Sequence, residues 1–158
     1  MVQDASVDQA RERIADAYRR DGATLWRALY SFTGDRAMAD DALAETLARA
    51  VRKADSIRDA TAWMWRVAFR IAAREVRSRP EHQDAPEPAY EMPDPVPELM
   101  AALGRISPNQ RVAVLLHDYA DRPVGEVAAV LGCSKGTVFV HLSQGRRRLR
   151  ALLGDSDG

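Results

Sequence analysis

The sequence predicts an all-α protein, two small helical domains joined by a proline-rich acidic linker, and three observations predict it. Apolar residues recur three and four apart, without strict alternation, in segments dominated by Ala, Leu and Arg. Six of the eight prolines (Pro80, Pro86, Pro88, Pro93, Pro95 and Pro97) fall within residues 80–97, and no helix can run through them. Further on, two helical segments are separated by only Gly132-Cys133-Ser134, a joint short enough to force a steep crossing. The expected organisation is a domain over 1–79, a linker over 80–97 and a second domain over 98–154.

An N-terminal helix turns Ile14, Ala17 and Tyr18 inward. Leu25, Leu29 and Phe32, with Trp26 and Tyr30, mark the next helix, which Gly34 closes. Leu43, Leu47 and Val51 mark another over about 37–54. The last helix of the first domain, over about 60–79, has Trp63, Val67 and Ile71 on one side and Trp65, Phe69 and Val76 on another. The linker holds Glu81, Asp84, Glu87, Glu91 and Asp94 and no Lys or Arg, the composition of an extended, solvated segment. A short helix from Glu98 to Gly104 follows. Ser107-Pro108-Asn109-Gln110 then spells a capping box with proline at the first helical position, and the helix it starts carries Val112, Leu115 and Leu116. Two more helices run from Val124 to Leu131 and from Lys135 to about Leu153, and the closing GDSDG reads as a disordered tail.

The chain has 158 residues, with 23 Lys+Arg against 23 Asp+Glu. On the whole-chain scale that balance argues against a nucleic-acid binder. Its distribution reverses the argument: residues 23–79 carry eleven cations against seven acids, 98–154 carry eight against four, and 80–97 carry five acids alone. Two basic domains are thus joined by an acidic strap. The single cysteine, Cys133, excludes an intramolecular disulfide, suits a reducing compartment and fits the turn as a small core residue. His82, His117 and His141 show no ligand spacing, so no metal is expected. The opening MVQDASVDQARER has acids where a signal peptide is apolar, and no apolar run approaches the roughly 20 residues that span a bilayer. The expectation is a cytoplasmic protein without membrane insertion. No glycine-rich phosphate loop follows a strand and no nucleophile–base set is suggested, so neither an enzyme nor a cofactor is expected.

The candidate binding residues form three groups. Around the three-residue joint, Ala128, Gly132 and Val138 fall at the offsets a helix-turn-helix needs, with Val127, Leu131 and Leu142 inward and Ser134 as a cap. In a DNA-binding version the second helix lies in the major groove, and Arg146, Arg147, Arg148 and Arg150 supply phosphate contacts. Phe139 and Val140 fall opposite its core seam, where adjacent apolar residues want a partner, either thymine methyls or another protein. The plainer alternative is a helical hairpin with a solvated arginine face. In the first domain Arg66, Arg70 and Arg74 recur at four-residue steps, with Arg77 three further on and Trp63 and Trp65 at the start. That layout suits a nucleic-acid strand with unstacked bases; the alternative is an exposed arginine face over a buried tryptophan core. Asp40, Asp41 and Glu45 make an acidic helix face, for which the plainer reading is solvation and a Glu45–Arg49 pair.

Taken together, GDRAMADDALAETLARAVR at 34–52, TAWMWRVAFRIAAREVRSR at 61–79, the linker, and SPNQRVAVLLHDYADRPVGEVAAVLGCSKGTVFVHLSQGRRRLRALL at 107–153 resemble the extracytoplasmic-function (ECF) sigma factors, two-domain initiation subunits of bacterial RNA polymerase. The resemblance implies a region 2-like helical bundle and a region 4-like helix-turn-helix. It implies that Asp41 and Glu45, with Asp40 beside them, grip the clamp of core RNA polymerase, and that residues 55–60 and the helix carrying Trp63, Arg66, Arg70, Arg74 and Arg77 open the minus-ten promoter element. Lys135, Thr137, Phe139, Val140, Ser143 and Gln144 lie where the family meets the minus-thirty-five element, with Arg147 on phosphate. The linker matches the segment threading toward the polymerase active site, and the family implies an anti-sigma factor as a further partner. This chain departs from the family by Arg70 for a frequent Asn, Arg74 for an Asp or Asn, Phe139 for a Lys or Arg, Val140 for a Ser and Gln144 for an Arg. An amide-lined pocket for a flipped base changes its logic when Arg, which only donates, replaces the amide.

Two other functions remain open at this point. TVFVHLSQGRRRLR also resembles the helix-turn-helix of LuxR-type response-regulator outputs, which predicts dimers on a palindrome and no affinity for core polymerase. Phe139, Val140 and Gln144 also fit a sigma-like protein that binds polymerase or a regulator without initiating.

Overall fold

The computed structural model describes residues 2–79 and 97–154, so the expectations for most of the linker and for residues 155–158 lie outside the described residues. Seven α-helices appear there: α1 (Val2–Thr33), α2 (Arg36–Arg52), α3 (Ala60–Ser78), α4 (Pro97–Arg105), α5 (Pro108–Val114), α6 (Val124–Leu131) and α7 (Lys135–Gly154), with no strand among the described residues. A short 3-10 turn, Ala54–Ser56, leads from α2 toward α3. No described helix is long and apolar enough to cross a membrane.

The local chemistry accounts for most boundaries. Asp35 caps α2 by accepting from the Ala37 and Met38 amides, and Asp59 caps α3 by accepting from Ala62. At α5, Ser107 Oγ accepts from the Gln110 amide while Gln110 Oε1 accepts from the Ser107 amide, the reciprocal capping box that the sequence spells. Gly132 ends α6 with φ 68° and ψ 37°, a left-handed conformation that a side chain disfavours, and its amide and that of Cys133 both bond the Ala128 carbonyl. Ser134 then caps α7 through the Thr137 amide. Gly145 serves differently: a Cβ there would stand 3.1 Å from Val114 Cγ2, so the residue lets α7 approach α5 closely.

Four expectations are corrected. The two N-terminal helices are one, α1, because Asp21-Gly22 does not interrupt it; an interior glycine costs a helix only about 1 kcal/mol, and the Tyr18 ring lies over the space at Gly22. Tyr18 is accordingly exposed rather than inward. Val51, placed on the inward stripe of α2, is also exposed: buried Ala42, Leu43, Thr46 and Ala50 carry that helix's contact face. The helix begun at Pro108 loosens into a π-helical turn, Leu115–Tyr119, in which the Ala120 amide reaches back five residues to Leu115.

Residues on both sides of the linker share one apolar core, in which Leu29, Phe32, Met64 and Phe69 are continuous with Leu103, Leu116, Val127 and Val138. The largest of these side chains are fully buried, each stabilising the fold by about 1.5–3 kcal/mol relative to exposure. Helix α3 packs on α6, and α1 packs on α4 and the π turn. A smaller cluster of Ala10, Ile14, Ala50, Ala54 and Ile57 closes the far end of the first three helices.

Candidate nucleic-acid interface

Three surfaces carry the candidate residues. On α2, Asp40, Asp41 and Glu45 are all exposed. Asp40 accepts from Trp26 Nε1 at 2.7 Å, and Trp26 stacks on Tyr30. Glu45 pairs with Arg49 at 2.5 Å, the expected i,i+4 pair, worth only a few tenths of a kcal/mol at this exposure. Asp41 projects from α2 with no ion pair among the described residues, so the surface retains an uncompensated carboxylate.

Helix α3 separates the residues that the sequence groups. Arg70, Arg74 and Arg77 are exposed, and Arg66 and Trp63 are half-buried. Trp65 is not available to bases: it is 2% exposed, donates its indole N–H to Asp21 Oδ2 at 2.9 Å and stacks on Phe69. The plainer alternative, a buried tryptophan under an arginine row, therefore holds for Trp65. Opposite the row lies α6. Arg70 Nη2 donates to the Ala129 carbonyl at 2.8 Å, and Arg70, Arg74 and Arg77 line a shallow cleft whose other wall is Val130.

On α7, Val138, Leu142, Gly145 and Leu149 are buried, while Lys135, Thr137, Phe139, Val140, Ser143, Gln144 and Arg147 are exposed. Thr137 Oγ1 lies 3.0 Å from Ser134 Oγ and is engaged in the cap. Gln144 Oε1 accepts from Gln110 Nε2 at 3.3 Å. Of the four arginines expected on phosphate, Arg146 is corrected: its guanidinium makes two bonds to Asp118, at 2.8 and 2.5 Å, and the π turn is what brings Asp118 there. Arg150 donates to the Arg146 carbonyl and keeps an exposed head, and Arg147 and Arg148 are exposed. Cys133 packs half-buried against the core, as a small apolar residue would.

Sequence reasoning missed the arginines that join the two halves and close the end of α1. Arg111 Nη1 donates to the Phe32 carbonyl at 2.6 Å, Nη2 donates to Ile106 at 3.3 Å, and the guanidinium lies over the Phe32 ring. Burial, and then the neighbouring Arg79 charge, lowers its pKa from the ordinary arginine value. Arg79 donates to the Thr33 carbonyl and to Asp35, so two arginines meet the orphan carbonyls at the end of α1. Arg122, held by two 2.7 Å bonds to Glu126, covers the Trp65 ring at 6.0 Å. The Arg122–Glu126 spacing was a visible i,i+4 pair, but nothing in the sequence pointed it at Trp65.

Comparison with known proteins supplies context. Residues 97–149, from α4 into α7, match the family model described as sigma-70, region 4. The chain is similar to the ECF RNA polymerase sigma factor SigE of Mycolicibacterium smegmatis, with 31% identity covering 96% of this chain and 66% of that protein, just under two thirds of its length. It is similar to the ECF RNA polymerase sigma factor SigL of Mycobacterium tuberculosis, with 30% identity covering 86% of each. Among solved structures it is similar to the sigma factor RpoE of Bartonella quintana, in complex with the anti-sigma factor NepR, with a TM-score of 0.70, 25% identity and coverage of 89% of this chain and 96% of that one.

Proposed function

The chain belongs to the ECF sigma factors of RNA polymerase, and from that membership we propose that it is a dissociable initiation subunit that directs core polymerase to a small set of promoters and assists their melting. In this reading residues 1–79 and 98–154 act as two modules joined by 80–97, and the protein works in the cytoplasm and catalyses nothing itself. The exposed acidic face of α2, with Asp40, Asp41 and Glu45, docks on the polymerase clamp. Trp63, Arg66, Arg70, Arg74 and Arg77 meet the minus-ten element as it opens; α7 meets the minus-thirty-five duplex through Lys135, Thr137, Phe139, Val140, Ser143 and Gln144, with Arg147 on phosphate. An anti-sigma factor is the proposed regulator, by analogy with the complex of the Bartonella protein.

The observation that carries this reading is the order of surfaces on one chain: an acidic helix face, an arginine row on the next helix, then a capped helix-turn-helix whose second helix has an exposed outer face. A response-regulator output domain needs only the last. The test is in vitro transcription with core polymerase and a genomic promoter library. Specific initiation is expected, and Asp41→Lys with Glu45→Lys should weaken core binding with helicity unchanged. Tight core binding without initiation would instead favour the non-initiating interaction protein, and dimers on a palindrome without core affinity would favour the response-regulator type.

A further inference from the structure

Several polar groups on the outer face of α7 are already engaged by protein, which leaves Lys135 and Ser143 as its exposed hydrogen-bonding side chains without a protein partner ahead of Arg147. Thr137 is engaged with Ser134 and Gln144 with Gln110, whose own carbonyl closes the α5 cap. Between exposed Lys135 and exposed Ser143 the side chains that stand free are apolar: Phe139 is 57% exposed and Val140 is 52% exposed. They are adjacent in sequence and so about 100° apart around the helix, Val140 directly opposite the buried Val138–Leu142 seam and Phe139 beside it. Exposed Arg147 lies two turns on from Val140 along the same face, with Arg148 and Arg150 nearby. The apolar pair is therefore joined to a cationic surface, which fits a duplex groove between phosphate strands rather than an apolar protein groove.

In the major groove only thymine presents an apolar group, its C5-methyl, whereas the other base edges would lose water against Phe139 or Val140 without gaining a hydrogen bond. Resting on the sigma-factor reading above, we propose that Phe139 and Val140 form an apolar reading edge that selects thymine in the upstream promoter element through its C5-methyl group. The substitution of apolar residues for the family's usual cation and hydroxyl at these positions then changes which bases are chosen and leaves groove binding itself to the flanking arginines.

Substituting 2′-deoxyuridine for thymine deletes the methyl and leaves every hydrogen-bonding group in place. With holoenzyme reconstituted from the full chain and core polymerase, upstream elements selected from a random pool are expected to be rich in thymine at one or two positions. Deoxyuridine there should weaken promoter binding about fourfold per methyl. In Phe139→Ala, Val140→Ala and the double variant, whose exposed sites leave the fold intact by circular dichroism, the roughly fourfold ratio between thymine and deoxyuridine promoters should shrink toward one. Selected elements without thymine, or deoxyuridine tolerated at every position of an active promoter, would overturn the inference and leave the sigma reading standing. Unchanged promoter affinity in the double variant would overturn it too and assign the face to a protein partner. Failure to initiate at any promoter would overturn the sigma reading itself, and this inference with it.

Discussion

The arginine row of α3 and the outer face of α7 are both proposed to meet promoter DNA, yet they stand in opposite surroundings. The α7 face is open, with Phe139 and Val140 more than half exposed. The α3 row looks across a cleft at α6, with Arg70 bonded to the Ala129 carbonyl and Trp65 sealed beneath Arg122. The difference teaches that a cationic stripe and an aromatic pair are properties of one helix, whereas availability is a property of whatever packs opposite. Here what packs opposite is the other half of the same chain, tied on by three arginines, Arg70, Arg111 and Arg122. A nucleic-acid strand that met the α3 row would find Arg70 with one Nη2 donor already spent on a protein carbonyl and its remaining N–H groups exposed.

That contrast can be broken or sharpened by removing the ties one at a time. The largest effect is expected from Arg111→Ala, which strips a buried guanidinium from two carbonyls and an aromatic face; a loss of about 2–4 kcal/mol should appear in urea unfolding. A loss below about 0.5 kcal/mol would mean that Arg111 contributes little and that the halves are held by Arg70, Arg122 and the shared apolar core. Arg122→Ala should cost about 1–2 kcal/mol and shift tryptophan emission to the red, because the cover over Trp65 is lost. An unshifted spectrum would show that other groups seal that ring. Arg70→Ala removes one exposed bond and should cost no more than about 0.5–1 kcal/mol, with hydrogen exchange rising in α6 and unchanged in α7. Arg147→Ala, on the open face, should leave stability unchanged and reduce the salt slope of promoter binding by about one unit or less. An unaltered slope removes Arg147 from the phosphate contacts.

Much of this architecture was legible in the residues. The Ser107–Gln110 capping box, the left-handed Gly132 and the Ser134 cap are local, so the helices they bound emerge where the sequence puts them. The outward position of Phe139 and Val140 follows from helical period once Val138 and Leu142 are taken as core. What stayed hidden depends on distant partners. Trp65 and Trp63 look alike in sequence, but Asp21, 44 positions before Trp65, takes its indole N–H, while Trp63 is only half-buried. Arg146 looks like its neighbours Arg147 and Arg148 until the π turn delivers Asp118 to it. The continuity of α1 was hidden for another reason: an interior glycine is a small penalty that packing readily outweighs.

At the end of α1, Arg79 and Arg111 converge on neighbouring carbonyls, those of Thr33 and Phe32, and their like charges oppose each other. The Arg111 guanidinium, already desolvated by burial, is therefore held less firmly than its own bonds would allow. Losing either one frees the survivor from repulsion, so a first substitution costs less than the bonds it deletes and the second costs the full amount. A double-mutant cycle should show this as positive coupling, the double variant falling further than the two single losses combined. The end of α1 is in this sense a coupled site: what it costs to lose one arginine depends on whether the other is still present, so the two positions are expected to drift together rather than independently.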